Sequence, residues 1–147
     1  MFSAMTGSIL LVEDDEDDAL LVKEAFNAVG VGGALRHVAD GEEALNYLQG
    51  KGRYSQRDLH PLPTLVLLDL QLPKLSGLEV LQWMRKQPAL RTVIVVIIAG
   101  LPLDSEIQRA YLFGANSLLV KGTSQEQLDK KIRLIKDYWL GANQAAA

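Results

Sequence analysis

Acidic side chains follow two apolar runs of the chain, at the points where strands would end. Glu13 and Asp14 come directly after Ile-Leu-Leu-Val, and Asp69 comes directly after Leu-Val-Leu-Leu. Lys121 follows a later run, Ser-Leu-Leu-Val. Crowded carboxylates repel one another unless a cation joins them, and Mg²⁺ favours oxygen ligands and readily shares a phosphate. In that setting Asp69 can act as a carboxylate nucleophile and form an aspartyl phosphate, while Lys121 balances the added charge.

Each of these residues also has a plainer interpretation. The acidic run continues from 13 to 18, and acidic residues after a strand often begin a helix, where they complement the helix macrodipole. Asp69 alone could be a loop or capping carboxylate, and Lys121 alone could be a solvated surface lysine. The occurrence of all of them at the ends of predicted strands favours one common site.

The hydrophobic pattern indicates the elements that must position these residues. Short apolar runs predict five strands, at residues 8–12, 34–38, 64–68, 92–98 and 117–120. Amphipathic stretches predict helices at 17–29, from 41, at 76–87, at 103–113 and after 123. Three helices would begin at capping boxes that start with Asp40, Ser76 and Thr123. The strict alternation predicts an α/β fold with a doubly wound five-stranded parallel sheet, whose site lies beyond the carboxyl ends of the strands.

Length, composition and charge exclude several classes of protein. The 147 residues suit one domain, which we place at 8–140, with a leader at 1–7 and a tail at 141–147. The absence of cysteine excludes disulfides, thiol catalysis and thiolate metal sites and fits a reducing compartment such as the cytoplasm. The net charge of −3 lacks the basic excess of a nucleic-acid binder. No apolar run reaches the length of a membrane span.

Three motifs carry a resemblance to a known family. They are Ile-Leu-Leu-Val-Glu-Asp-Asp from residue 9, Leu-Leu-Asp-Leu-Gln-Leu-Pro from residue 67 followed by Gly77, and Val120-Lys121. With them the chain resembles the response-regulator receiver domains of two-component signalling, from residue 8 to about 140. The resemblance implies a flavodoxin-like (βα)5 fold with strand order 2-1-3-4-5, and a signalling domain rather than an enzyme.

The resemblance also implies a role for each site residue. Asp69 would be the phosphoacceptor, and Lys121 would pair with the phosphate. Asp14 would bind Mg²⁺ directly, Glu13 would act mainly through water, and the backbone carbonyl of Gln71 would complete the protein ligands. The phosphodonor would be a sensor histidine kinase or a phosphotransfer domain.

The chain departs from the receiver pattern at three positions. Ala99 stands at the end of the fourth strand, where receivers carry a Thr or Ser that binds the phosphoryl oxygen. Leu118 stands where receivers carry a switch aromatic, and Gly122 replaces the proline that follows the lysine. Because a cis bond before a non-proline residue costs about 2.5–4 kcal/mol, we expect Lys121-Gly122 to be trans. Two alternatives stay open at Ala99: the position could be misaligned, or a water could substitute for the hydroxyl.

A narrower likeness concerns the first helix, the long polar loop at 50–63 and the segment Pro-Ala-Leu-Arg-Thr at 88–92. These resemble the small single-domain regulators that partner phytochrome-type histidine kinases, which implies no attached output domain.

Apolar residues of the first helix could contact the kinase, and aromatic residues near the end of the chain could serve a homodimer through the helix 4, strand 5 and helix 5 face. The residues for the kinase contact are Leu20, Leu21 and Ala25. The residues for the homodimer are Tyr111, Phe113 and Tyr138. For both sets, packing in the core is the alternative. His37 and His60 have no assigned role.

Two other functions remain as alternatives. A Mg²⁺-dependent phosphohydrolase of the haloacid dehalogenase type would need a second aspartate two residues after the nucleophile, and this position is Gln71. A phosphorylation-independent docking module is favoured by Ala99 and Leu118. The intact Asp14, Asp69 and Lys121 argue against that module.

Overall fold

The fold is described from a computed structural model, which covers residues 7–122 and 124–146. In these residues five strands alternate with five α-helices along the chain. They are β1 (Ile9–Val12), α1 (Glu16–Ala28), β2 (Leu35–Val38), α2 (Gly41–Gln49), β3 (Leu65–Asp69), α3 (Gly77–Lys86), β4 (Ile94–Ala99), α4 (Asp104–Leu112), β5 (Ser117–Val120) and α5 (Gln125–Asp137). All strand pairs are parallel, and the order is β2-β1-β3-β4-β5, which confirms the predicted fold class and strand order.

Both faces of the sheet are covered, and the apolar residues of each strand divide between two cores. Leu10, Leu68 and Ile97 face the core that packs beneath α2, α3 and α4. Leu11 and Leu67 face the core that packs beneath α1 and α5. Since successive side chains of a strand point to opposite faces, the continuous apolar runs of β1, β3 and β4 serve both cores at once.

The register of the sheet brings the carboxyl ends of the strands level with one another. Val12 of β1 pairs with Leu68 of β3, so the residues that follow them, Glu13 and Asp69, are neighbours. Ala99 of β4 pairs with Val120 of β5, so Lys121, the residue after Val120, lies at the same edge of the sheet as Glu13 and Asp69. The strand ends therefore define one edge at which these side chains can meet.

Strand β4 begins at Ile94, two residues later than predicted, and it includes Ala99. The preceding residues form a 3-10 turn, Pro88–Leu90. The Arg85 guanidinium donates to the carbonyls of Leu90 and Val93, both at 2.9 Å. Because those carbonyls are bound to a side chain, the chain joins the sheet later than its apolar character indicates.

Helix starts agree only in part with the predicted capping boxes. The box at α3 is confirmed: Ser76 Oγ accepts from the Glu79 N–H, and Glu79 Oε1 accepts from the Ser76 N–H, both at 3.2 Å. Asp40 Oδ1 accepts from the Glu43 N–H at 2.7 Å. The reciprocal bond predicted there is wrong, because the Glu43 carboxylate accepts instead from the Ala39 N–H.

The start of α5 also differs from the prediction. Its N-cap is Ser124, whose Oγ accepts from the Gln127 N–H at 3.2 Å; Thr123, the predicted first residue, lies outside the described residues. The far end of α5 continues into a π-helical turn, Tyr138–Ala142, so the proposed domain boundary at 140 falls inside that turn. None of the described helices is long and apolar enough to cross a membrane.

The long loop at 50–63 is tied to α2 by ring contacts and hydrogen bonds. Tyr54 and His60 of the loop pack against Tyr47 of α2, with ring centroids 5.0 and 5.9 Å from that of Tyr47. Arg57 donates to the carbonyls of Tyr47 and Leu48 at 2.8 Å each. These bonds satisfy carbonyls of the last turn of the helix, which explains why a loop of this length is ordered.

Candidate functional site

Three carboxylates meet at the carboxyl edge of the sheet, as the positions of the acidic residues at the ends of predicted strands indicate. Glu13 and Asp14 follow β1, and Asp69 is the last residue of β3. One carboxylate oxygen from each of the three lies within 4.8 Å of the other two. Glu13 is only 1% exposed, Asp69 is also buried, and Asp14 is exposed. The group is therefore an acidic pocket with one open side.

Lys121 inserts its ammonium group into this pocket from the end of β5. Its Nζ donates to Glu13 Oε1 at 2.9 Å and to Asp18 Oδ2 at 2.9 Å. It lies 3.6 Å from Asp69 Oδ2, an ion-pair distance longer than a hydrogen bond. The backbone N–H of Lys121 donates to the Ala99 carbonyl at 2.8 Å, which continues the β4–β5 ladder and fixes the base of the side chain.

The electrostatics of the pocket follow from burial and crowding. Burial raises the pKa of Glu13 to about 7, with Asp69 adding to the rise and Lys121 opposing it. Burial lowers the pKa of Lys121, but its hydrogen bonds to Glu13 and Asp18 outweigh that and leave the pKa above its usual value. One ammonium thus faces more carboxylates than it can neutralise, and oxygen donors in such a group fit a divalent cation such as Mg²⁺.

Asp69 is held by the backbone around it. The N–H of Gln71 donates to Asp69 Oδ1 at 3.1 Å, and the N–H of Leu70 donates to the Ile98 carbonyl at 2.9 Å. A Cβ atom at Gly77 would lie only 2.2 Å from the Asp69 carbonyl oxygen. The glycine of the sequence motif therefore allows α3 to begin in direct contact with the backbone of Asp69.

Of the three atypical positions, one ends β4, one lies within β5 and one follows β5. Ala99 is the last residue of β4, with a buried methyl group. Leu118 pairs with Ile97 of β4, and its N–H donates to the hydroxyl of Tyr111 at 3.1 Å. The Lys121-Gly122 bond is trans, like every peptide bond in the described residues, and Gly122 adopts a φ of 86°. Only glycine adopts that conformation at little cost, so the loop after Lys121 takes a path that depends on it.

Two residues near the site were not identified from the sequence. Asp18, read as part of the helix start, binds Lys121. His37, to which no role was assigned, donates from Nε2 to the Glu13 carbonyl at 2.8 Å and so steadies the backbone that carries the acidic pair. The sequence indicated Asp18 only weakly: it lies five residues after Glu13, in the first turn of α1, and therefore near the same edge of the sheet. No pattern in the sequence indicated His37, because its contact joins β2 to the residue that follows the neighbouring strand β1.

The sheet order and the acidic pocket with its lysine define an α/β receiver of the two-component type. The family model for the response regulator receiver domain matches residues 9–133, and the chain belongs to that family.

Several relatives align over most of their own length. The chain is 41% identical over 140 residues, 93% of this chain and 86% of the other, to the Probable methanogenesis regulatory protein FilR2 of Methanothrix harundinacea. It is similar to the crystal structure of the phosphorylated cyanobacterial phytochrome response regulator RcpA, with a TM-score of 0.88 and 32% identity over 96% of this chain and 99% of the other. The Mn²⁺-bound form of the response regulator Rcp1 has a TM-score of 0.85 and 33% identity over the same shares. Rcp1 comes from Synechocystis.

Proposed function

We propose that this chain is a response regulator that accepts a phosphoryl group on Asp69 from a histidine kinase or a phosphotransfer domain. One observation carries the proposal: the Asp69 carboxylate is buried beside the carboxylates of Glu13 and Asp14, with the Lys121 ammonium 3.6 Å away. A buried carboxylate among other carboxylates is unfavourable as a purely structural feature, and it suits a site that binds a divalent cation.

The transfer is a substitution at phosphorus. A carboxylate oxygen of Asp69 attacks the phosphorus of a phosphohistidine and forms a P–O bond, while the P–N bond breaks and its electron pair stays on the imidazole nitrogen. The bond from the Gln71 N–H orients the attacking carboxylate. Lys121 lies where it can pair with the phosphoryl oxygens, so the protein contributes mainly positioning and charge neutralisation.

Mg²⁺ is the proposed cofactor. Asp14 and Asp69 would bind it directly, Glu13 mainly through water, and the Gln71 carbonyl would add a ligand. The Gln71 backbone is beside Asp69, as its N–H contact to that carboxylate shows. When bound, the ion offsets the negative charge that the phosphoryl oxygens bring to the acidic pocket.

The proposed phosphodonor is a histidine kinase of the phytochrome type, since RcpA is named a phytochrome response regulator. The kinase would contact α1, where Leu20 and Leu21 are exposed. Ala25, the third residue of α1 predicted for this contact, is buried and belongs to the core. We place this signalling in the cytoplasm.

A homodimer through α4, β5 and α5 is a second proposed assembly, and neither nucleic acid nor a membrane is a proposed partner.

The output of this regulator is proposed to be unconventional. Ala99 offers no hydroxyl to a phosphoryl group on Asp69, and hydrogen bonds to charged groups are worth about 1.5–3 kcal/mol. Coupling between sites is typically about 1–3 kcal/mol, so this loss removes most of the usual link to α4. Phosphorylation of Asp69 is retained, and its effect on α4 is weak.

The test is phosphorylation by acetyl phosphate with Mg²⁺, measured by intact mass, together with signalling in cells. Wild-type protein should gain one phosphoryl group, Asp69→Asn should gain none, and Asp17→Asn, which removes an acidic residue of α1 with no assigned role, should match wild type. Asp69→Asn should also abolish signalling. If Asp69→Asn instead preserves both partner binding and signalling, the chain is a docking module and the proposal is wrong.

A further inference from the structure

The contact between Lys121 and Asp18 connects the acidic pocket to a helix. Asp18 is the third residue of α1, and its Oδ2 accepts from Lys121 Nζ at 2.9 Å. The same Nζ is 3.6 Å from Asp69. The ammonium that should serve the phosphoryl group is therefore shared with α1.

The Asp18 end of this contact is held in place by the helix. Its backbone N–H donates to Oδ1 of Asp15, the N-cap of α1, at 3.0 Å. The next residue, Ala19, is buried, as is Val22 one turn later. Lys121 has four rotatable side-chain bonds and Asp18 has two. Together with Glu13, Asp18 thus contributes to the position of Nζ relative to Asp69.

Asp18 is the acceptor that Lys121 can exchange most readily. Its side chain is 41% exposed, whereas that of Glu13 is 1% exposed. Solvent screens the exposed pair and makes it weak, and the buried pair is costly to break. A phosphoryl group on Asp69 adds negative charge close to Nζ, which is 3.6 Å from the Asp69 carboxylate, so the ammonium should leave its weaker partner, Asp18, first.

The surroundings of the pair leave room for the change. Asp18 and Lys121 both line a cavity of about 310 Å³ between α1 and α5, whose other walls include Leu21, Ile98, Leu128 and Ile132. The two helices therefore do not close against each other at this end. The first turn of α1 can adjust without overpacking the core.

We propose that Asp18 is a positioning residue for Lys121, and that its release from Lys121 on phosphorylation of Asp69 carries the signal to the first turn of α1. This relay rests on the proposed phosphorylation of Asp69. It needs no hydroxyl at Ala99, and it directs the response to the helix that bears Leu20 and Leu21.

The experiment is a titration of the whole chain with beryllofluoride and Mg²⁺, an analogue of the phosphoryl group, followed by amide NMR shifts. In wild type the amides of residues 16–19 should shift more than those of α4. In Asp18→Asn those amides should start near their bound position and move little. Because a competing ion pair is removed, beryllofluoride should bind roughly 1.4- to fivefold more tightly, the range expected for an exposed pair.

Two matched variants separate positioning from charge or folding effects. Asp17→Asn removes the same charge from the same helical turn and should leave both the affinity and the shifts as in wild type. Asp18→Glu should restore the wild-type affinity. The relay is overturned if Asp17→Asn and Asp18→Asn behave alike, or if the wild-type amides of residues 16–19 do not respond. Binding of beryllofluoride by Asp69→Asn, or its absence in wild type, would overturn the proposed function itself and the relay with it.

Discussion

At the scale of single residues, Ala99 is the position where the proposed phosphoryl group on Asp69 lacks a hydroxyl partner. Its methyl group is buried at the end of β4, the strand next to the one that ends at Asp69. Threonine fits strand geometry, and a hydroxyl there could donate to the phosphoryl oxygens. Since a hydrogen bond to a charged group is worth about 1.5–3 kcal/mol and 1.4 kcal/mol is a factor of ten, we predict that Ala99→Thr binds beryllofluoride at least tenfold more tightly than Ala99→Val.

The comparison with valine isolates the hydroxyl, because valine has nearly the shape of threonine and both substitutions add volume to a buried position. Isothermal titration gives the two affinities, and amide NMR shows whether α4 responds only in the threonine variant. Equal affinities in the two variants would mean that a hydroxyl at this position is not in reach of the phosphoryl group.

The residues of the site were predictable to the extent that strand ends determine them. Asp69 and Lys121 could be placed because each stands at the end of a predicted strand, and parallel strands end at one edge. Asp18 could not be chosen from six consecutive acidic residues. Asp18 is selected by where α1 begins, at Glu16 with Asp15 as the N-cap, because this start determines the direction of each acidic side chain. It is also selected by Lys121, whose side chain extends to Asp18 from the end of β5.

At the scale of elements, the start of α2 shows how a tertiary contact overrides a local motif. The sequence of a capping box is present, but Glu43 is engaged by the Tyr54 hydroxyl and by Arg53 from the long loop. The box at α3 forms because no such competitor contacts Glu79 among the described residues. Local patterns therefore predicted where both helices begin, and only the fold decides which bonds Glu43 makes.

Glu43 also makes the clamp between the loop and α2 sensitive to acid. Burial raises the pKa of Glu43, but hydrogen bonds from Tyr54, Ala39 and Arg53 outweigh it and hold the pKa below its usual 4.5. A carboxyl group with a lowered pKa stabilises the fold above 4.5 and loses that contribution as pH falls through its native value. We predict that Tyr54→Phe lowers the free energy of unfolding at neutral pH by about 1–2 kcal/mol, and that the deficit shrinks in acid.

The measurement is the free energy of unfolding in urea, determined for wild type and Tyr54→Phe from neutral pH down to the acid range. Phenylalanine keeps the ring contacts with Tyr47 and His60, so the change reports on the hydroxyl. Arg53→Gln removes another donor to the Glu43 carboxylate. Because the Arg53 side chain is 72% exposed, solvent screening should make its deficit smaller than that of Tyr54→Phe, and this deficit should also shrink in acid. A deficit of the same size at every pH would place the effect of Tyr54 in packing instead.

At the scale of the whole molecule, the two edges of the sheet differ in what they expose. Large apolar side chains are exposed along α4, the loop before it and β5, and they are Leu101, Leu103, Tyr111, Leu112 and Val120. At the β2 edge, which the long loop crosses, fewer are exposed, and they are Leu59 and Leu62. There Arg36 donates to the Leu59 carbonyl at 3.3 Å. Exposed apolar residues grouped on one face mark an interaction surface more often than isolated ones do. Tyr111 is part of this face, and its hydroxyl also contacts β5.

The proposed homodimer can be tested on this difference between the edges. Leu112 is the last residue of α4 and is 80% exposed, so Leu112→Glu leaves the core intact and places a charge at the centre of the proposed interface. In a two-fold dimer each substitution occurs twice, and two like charges oppose association. We predict that Leu112→Glu raises the dimer dissociation constant at least tenfold, measured by sedimentation equilibrium. Leu59→Glu alters an exposed leucine at the opposite edge and should leave the constant unchanged. A wild-type chain that stays monomeric with beryllofluoride and Mg²⁺ bound, or equal effects of the two substitutions, would rule out this face as the dimer interface.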